Sequence, residues 1–191
     1  MMNSMEFGRL KGRLIEIVRD IAYYTGEFTL SSGKKSAFYL DVKKVSLHPE
    51  GLFLITSLFR SILHTLKPYP DGIGGPVIGA DPIVGALVYS SYGSGSPLSG
   101  FLVRSGPREH GRLRSIEGLE NLPKEGHVVV LEDVVTTGGS LLGAMDEALE
   151  NQLRVLAGFC VIDRLEGGRE SLEKRGIPFY SLMTIEEVQS G

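Results

Sequence analysis

Apolar residues recur at helical spacing near the start of the chain and predict a first amphipathic helix that faces the core: Leu10, Leu14, Ile17, Val18 and Ile21. Two short apolar runs at 28–30 and 37–41, separated by a Ser-Ser-Gly turn, predict strands. Pro49 then stands at the start of a predicted apolar helix that extends to about Leu66. Proline residues at 68 and 70 and the following Asp-Gly pair end this helix.

From residue 73 onward, apolar runs of strand length alternate with helical patterns. Strands are predicted near 73–78, 98–103, 127–131 and 155–162, and helices near 82–92 and 139–153. The alternation predicts a parallel sheet covered by helices on both faces, which is an α/β fold. The segment 93–99, rich in glycine and serine, is predicted to be a flexible turn within the domain.

Composition narrows the class of protein. The 191 residues fit one domain with a substantial core, and the net charge of −3 leaves no excess of basic residues, so we expect no nucleic-acid partner. Cys160 lies in an apolar run and is expected to be buried, with a reactive thiol as the alternative, and a single cysteine forms no disulfide within the chain. No signal core and no apolar stretch of membrane-spanning length is present, so we expect a soluble, cytoplasmic protein without a membrane partner.

The strand at 127–131 runs into two carboxylates, Glu132 and Asp133, and then into a loop of small residues that opens the next helix. Backbone N–H groups at a helix start bind phosphate, and acidic residues just before it accept hydrogen bonds from ribose hydroxyls. An ordinary strand with a capped helix is the alternative, but two unpaired carboxylates at the end of a buried strand are costly and favour a ligand. The predicted sugar-phosphate site comprises Glu132, Asp133, Val134, Val135, Thr136, Thr137, Gly138, Gly139 and Ser140.

The segment 128–140 resembles the phosphoribosyl diphosphate (PRPP) signature of the type I phosphoribosyltransferases, so these nine residues are expected to bind PRPP. The resemblance implies the fold of that family: a central, mostly parallel sheet flanked by helices, with a small N-terminal hood. We expect residues 1–70 to form the N-terminal helices and hood, packed on a PRPP-binding core of residues 71–191, in one structural domain.

A second segment, 104–118, follows a predicted strand and carries four arginines, one histidine and few apolar residues. Long polar loops in compact domains often act as lids, and a solvated basic loop is the alternative. If PRPP is the substrate, charge builds on the departing diphosphate, and Arg104, Arg108 and His110 are suited to meet it. Arginine offers a fork of donors to phosphate oxygens, and histidine can donate a proton.

Three segments together resemble the orotate phosphoribosyltransferases more than other members of the class. They are Arg104-Ser105-Gly106-Pro107-Arg108-Glu109-His110-Gly111, followed by Ile116-Glu117-Gly118; Phe28-Thr29-Leu30-Ser31-Ser32-Gly33-Lys34-Lys35-Ser36; and Asp163-Arg164-Leu165-Glu166. By this resemblance Arg108, His110 and Asp133 are catalytic, and orotate is bound by Ser31, Tyr39, Thr136 and Arg164. Arg164 would hold the orotate carboxylate, with a strand-end salt bridge as the alternative.

The chain also departs from the family's usual pattern. Ser105 and Gly79 stand where many members have a lysine that contacts the diphosphate, and Ser31 replaces a base-contacting lysine. Compensation by Arg108, Arg112 or Arg114 is one explanation, and a branch with a different electrostatic arrangement is the other. The sequence does not decide between them.

The resemblance implies transfer of a phosphoribosyl group from PRPP to orotate in UMP biosynthesis, with Mg²⁺ as cofactor, held mainly by PRPP rather than by a protein metal site. It also implies a homodimer whose mobile loop reaches the neighbouring active site. A purine phosphoribosyltransferase and a PRPP-sensing regulator without catalysis remain as alternatives. The orotate-type segments argue against the first, and the absence of a basic surface or an added DNA-binding domain argues against the second.

Overall fold

The computed structural model describes residues 2–29, 35–104 and 116–190. An N-terminal helix α1 (Ser4–Ile21) precedes an antiparallel hairpin of β1 (Tyr23–Thr29) and β2 (Lys35–Leu40), which is the predicted hood. The remaining elements are α2 (Lys43–Ser46), α3 (Pro49–Leu63), β3 (Gly72–Pro76), α4 (Asp81–Tyr92), β4 (Ser99–Val103), β5 (Ile116–Glu117), a 3₁₀ turn (Leu119–Asn121), β6 (His127–Val135), α5 (Gly139–Glu150), β7 (Arg154–Asp163), α6 (Gly168–Glu173), β8 (Phe179–Thr184) and α7 (Ile185–Gln189).

The central sheet has the strand order β5-β4-β3-β6-β7-β8, and its pairings are parallel except for the short edge strand β5. Alternate residues of β6 enter two separate cores. Val129 and Leu131 pack on one side with α1, α3 and α4, whereas Val128 and Val130 pack on the other side with α5 and α6. The predicted α/β class, with a mostly parallel sheet between helices, is confirmed.

The N-terminal segment packs directly on the core. Residues of α1 and α3 share one hydrophobic cluster with β6, β7 and β8, and Arg19 donates hydrogen bonds to the carbonyls of Glu187 and Val188 at the other end of the chain. Cys160 is fully buried, and burial raises the pKa of its thiol well above the usual value, as the buried interpretation predicted. Within the described residues, no helix is both long and apolar enough to span a membrane.

Candidate active site

The two predicted carboxylates, Glu132 and Asp133, lie within strand β6. The sequence analysis expected them after the strand, but β6 continues to Val135. Successive strand residues point to opposite faces, and the pair follows this rule. The Glu132 carboxylate faces the start of α5, where the Ser140 hydroxyl and the Leu141 N–H act to lower its pKa. Asp133 lies on the other face, against Gly79, and its Oδ1 accepts from the Val134 N–H at 2.8 Å.

Both carboxylates are costly to ionise in the absence of a ligand. Burial and the neighbouring charge of Asp133 raise the pKa of Glu132 to about 7, against the opposing hydrogen bonds from α5. Burial also raises the pKa of Asp133, and the positive charge of Lys43 opposes this shift. A ligand that donates hydrogen bonds to these oxygens, or brings a cation, would offset the cost of their burial.

The loop from Thr136 to Ser140, named the phosphate loop for its predicted role, lies close to the chain that follows β7. Two glycines, Gly138 and Gly168, allow this close approach. Gly138 has φ +83° and precedes α5 without a side-chain cap, so the helix start is left open. The Gly168 N–H donates to the Thr136 carbonyl at 3.0 Å, and a Cβ at Gly168 would overlap Val135. The exposed residues Gly139 and Ser140 therefore present backbone donors and a helix N-terminus to solvent, which is an anion-binding arrangement.

The β3–α4 loop approaches Asp133 closely at residue 79. A Cβ built on Gly79 would overlap the Asp133 carboxylate, the end of a side chain, and no backbone atom is among its nearest contacts. A side chain at this position would therefore require the carboxylate to shift. As it stands, the glycine brings no cation to this loop position.

Arg164 follows β7 and lies beside the phosphate loop, where its backbone N–H donates to the Val135 carbonyl at 2.9 Å. Its side chain is only 10% exposed, its Nη2 lies 2.7 Å from Glu166 Oε1, and its guanidinium carbon lies 4.7 Å from the centre of the Phe38 ring. The strand-end salt bridge kept as an alternative is thus present. Nε of Arg164, however, is buried without a hydrogen-bond partner among the described residues.

The turn that carries Arg164 is held by Asp163, which is fully buried. Its Oδ1 accepts from the Leu165 N–H at 2.9 Å, and its Oδ2 lies 3.2 Å from Nη2 of Arg169. A buried carboxylate needs such partners. Asp163 therefore acts as a positioning residue for the turn, a role that the sequence motif did not assign to it.

The hood hairpin brings Phe38, and not Tyr39, into contact with Arg164. Tyr39 is 42% exposed and packs on the opposite face of the hairpin, 5.7 Å from Phe28 and 6.4 Å from Tyr24 between ring centres. Its predicted contact with orotate stays a prediction. The sequence analysis missed Phe38, although the period-two alternation of strands would have shown that these neighbours face opposite sides.

Of the predicted cationic loop, the structure describes Arg104 and the segment from Ile116 onward. Arg104 lies 3.6 Å from Glu117 and shares a cavity of about 290 Å³ with Ser140 of the phosphate loop. The predictions for Ser31, Ser105, Arg108, His110, Arg112 and Arg114 concern residues outside the described part of the chain. Among described residues that the sequence analysis passed over, Lys43 of α2 is the cation whose charge acts on Asp133.

Two acidic residues and an open helix start lie together at the carboxyl edge of a parallel sheet, where open α/β folds bind ligands. With the small hood above this edge, the architecture is that of the type I phosphoribosyltransferases. No family model matches the chain. It is, however, 47% identical over 161 residues to the orotate phosphoribosyltransferase of Aquifex aeolicus, covering 84% of this chain and 86% of that protein. Identity to the Rhodopirellula baltica enzyme of the same name is 38%, covering 97% of each chain. The chain belongs to the orotate phosphoribosyltransferase family.

Solved structures agree with this assignment. The orotate phosphoribosyltransferase of Mycobacterium tuberculosis, in a complex with Fe(III) dicitrate, superimposes with a TM-score of 0.80 at 31% identity, covering 94% of this chain and 98% of that one. The same enzyme in complex with PRPP gives a TM-score of 0.77 at 28% identity, covering 94% and 99%.

Proposed function

We propose that this protein transfers the 5-phosphoribosyl group of PRPP to orotate, giving orotidine 5′-phosphate and diphosphate, as a step of UMP biosynthesis. The observation that carries the proposal is Arg164. Its guanidinium is nine-tenths buried beside the phosphate loop, and its Nε has no hydrogen-bond partner in the described part of the chain. A base that carries a carboxylate would supply the missing acceptor together with a negative charge that matches the guanidinium, a charge that a purine base does not carry.

In this proposal, PRPP extends along the edge of the sheet. The loop from Thr136 to Ser140 takes the 5′-phosphate on its backbone N–H groups, and Asp133 accepts hydrogen bonds from the ribose hydroxyls. The Ser140 hydroxyl and the Leu141 N–H already act on the Glu132 carboxylate, so we assign Glu132 to holding the phosphate loop in shape as much as to binding ribose. Each group is placed before the reaction begins, which reduces the entropy lost in reaching the transition state.

The reaction breaks the bond between the anomeric carbon and the diphosphate oxygen, and the electron pair leaves with diphosphate. A ring nitrogen of orotate gives up its proton to water and donates the electron pair that forms the new bond to that carbon. Arg104, Arg108 and His110 are proposed to meet the growing negative charge, with His110 able to donate a proton to the leaving group. Ser31, Tyr39 and Thr136 are proposed to line the orotate subsite together with Arg164.

Mg²⁺ is proposed to enter with PRPP, bound mainly by its diphosphate and ribose oxygens. The carboxylate of Asp133 is the kind of hard oxygen donor that this ion prefers. When bound, Mg²⁺ would neutralise charge on the departing diphosphate. In the part of the chain that the structure describes, no group of three or more His, Cys, Asp or Glu side chains is placed to hold a metal ion.

A second copy of this chain is the proposed partner. Phe53 of α3 and Tyr89 of α4 are 64% and 86% exposed and border a shared cavity of about 560 Å³, so large apolar side chains meet water on one face. Exposed apolar patches of this kind mark association surfaces. We propose that this face forms a homodimer and that the cationic loop of each subunit serves its partner's site. The cytoplasmic location stays a prediction.

The direct test is a spectrophotometric assay of orotate depletion with PRPP and Mg²⁺. In parallel reactions, adenine, guanine or hypoxanthine replaces orotate as the base. We expect PRPP-dependent consumption of orotate and none of the purines. Turnover of a purine instead of orotate would establish the purine alternative, and PRPP binding without turnover of any base would favour a regulator.

A further inference from the structure

The diphosphate end of the site needs positive charge from an element other than the β3–α4 loop. Diphosphate leaves with several negative charges, and cations that meet those charges lower the barrier. Residue 79 supplies none, because it is a glycine that lies against the Asp133 carboxylate. The positive charge must therefore come from a lysine or arginine of another element that lies on the same side of the sheet edge as Asp133.

Lys43 begins α2, shortly after hood strand β2, and its Nζ lies 3.1 Å from Oδ1 of Asp41. Its side chain is half-exposed, so the ammonium can reach a ligand. Burial lowers the pKa of Lys43, but the ion pair with Asp41 and the charge of Asp133 outweigh burial and raise it. In turn, the positive charge of Lys43 lowers the pKa of Asp133, and the negative charge of Asp41 raises it. Lys43 is therefore charged and lies within electrostatic range of Asp133.

The two phosphate groups of PRPP, its 5′-phosphate and its diphosphate, are expected on opposite faces of β6. Glu132 points toward the N-terminus of α5, where the 5′-phosphate is expected, whereas Asp133 points toward Gly79 and the β3–α4 loop. The ribose hydroxyls that Asp133 would hold are neutral. The anion left for a cation on the Asp133 face is thus the diphosphate.

We propose that Lys43 binds the diphosphate of PRPP and supplies the positive charge at the leaving group that the glycine at residue 79 does not supply. This role rests on the proposed function. As the bond to the anomeric carbon breaks, Lys43 keeps its proton and its ammonium balances charge on the diphosphate oxygens. Asp41 holds the ammonium in place before the substrate arrives and is a positioning residue.

The neighbouring lysine offers a matched control. Lys44 lies on the same short helix, but its ammonium is engaged with strand β1. Its Nζ donates to the Tyr24 hydroxyl at 2.6 Å and lies 4.8 Å from the centre of that ring. Replacing either lysine by methionine removes one positive charge and keeps a side chain of similar length. A difference between the two variants therefore reports position and not net charge.

The test compares Lys43→Met, Lys44→Met, Lys43→Arg and Asp41→Asn by steady-state kinetics and by calorimetric titration with Mg²⁺-diphosphate. We expect Lys43→Met to raise both the KM for PRPP and the Kd for diphosphate about tenfold or more, the loss of one charge-assisted hydrogen bond, with the KM for orotate changed less than about twofold. Lys44→Met should match wild type, and Lys43→Arg should recover most of the diphosphate affinity.

A purely structural role makes a different prediction. If Lys43 serves only the ion pair with Asp41, then Lys43→Met and Asp41→Asn should lower the thermal midpoint equally and leave the diphosphate affinity unchanged, and the proposal would be overturned. If it binds diphosphate, Asp41→Asn keeps the charge and should retain more affinity than Lys43→Met.

The two proposals fail separately. A wild-type protein that consumes no orotate would refute the proposed function, yet the diphosphate titration would still measure the contribution of Lys43. An active wild type whose Lys43→Met variant binds diphosphate normally would refute the Lys43 assignment alone.

Discussion

Replacing Arg164 by alanine is expected to weaken orotate binding far more than PRPP binding. In the structure the guanidinium has one partner, Glu166, and one aromatic neighbour, Phe38, while its buried Nε has no hydrogen-bond partner among the described residues. A hydrogen bond between charged groups contributes about 1.5–3 kcal/mol. Since about 1.4 kcal/mol corresponds to a tenfold change, the KM for orotate should rise between about tenfold and about a hundredfold.

Glu166→Ala is the matched control, because it breaks the same ion pair and keeps the guanidinium. Glu166 is 43% exposed, and an ion pair with a partner in such contact with water contributes less than about 1 kcal/mol. Glu166→Ala should therefore leave both KM values within about threefold of wild type. Initial rates at varied orotate and PRPP, with thermal midpoints of all variants, make the comparison.

The ion-pair interpretation predicts otherwise. If Arg164 only closes the turn after β7, then Arg164→Ala and Glu166→Ala should lose similar stability and leave the two KM values almost unchanged. That result would refute the assignment of Arg164 to the orotate carboxylate and would remove the main support for orotate over other bases.

Three further predictions concern the sheet edge and the loop. Asp133→Asn should lower kcat/KM for PRPP about tenfold to a hundredfold with an unchanged fold by circular dichroism, and normal kinetics would contradict the ribose contact. Because the pKa of Glu132 is raised to about 7 in the folded state, its protonated form favours folding below about pH 4.5 and this contribution is lost as pH rises through about 7. Urea unfolding should therefore show wild type losing up to about 3 kcal/mol relative to Glu132→Gln between pH 4.5 and 8, and parallel pH profiles would exclude the shift. Arg108→Ala and His110→Ala should each lower kcat strongly, and mixing Arg108→Ala with Asp133→Asn subunits should restore activity if the loop serves its partner; no recovery after verified exchange would place the loop in its own subunit.

Several elements were predictable because their signals are local. The continuous apolar run from Val128 to Leu131 predicted a buried strand, and the small residues after Asp133 predicted a helix start that binds phosphate. The helix that follows Pro49 also begins where the sequence placed it. By contrast β8 and α7 were not predicted, although the Thr184 and Glu187 capping box was present as a signal.

The sequence by itself determined the class of the protein, since strand periodicity and the acidic and small-residue motif depend on neighbours along the chain. Only the tertiary structure decided which side chains share the site. The register of the hood placed Phe38 beside Arg164, the β3–α4 loop brought Gly79 against the Asp133 carboxylate, and α2 brought the charge of Lys43 to act on Asp133. These relations join residues far apart in the chain, and they arise from packing between elements, which no local pattern records.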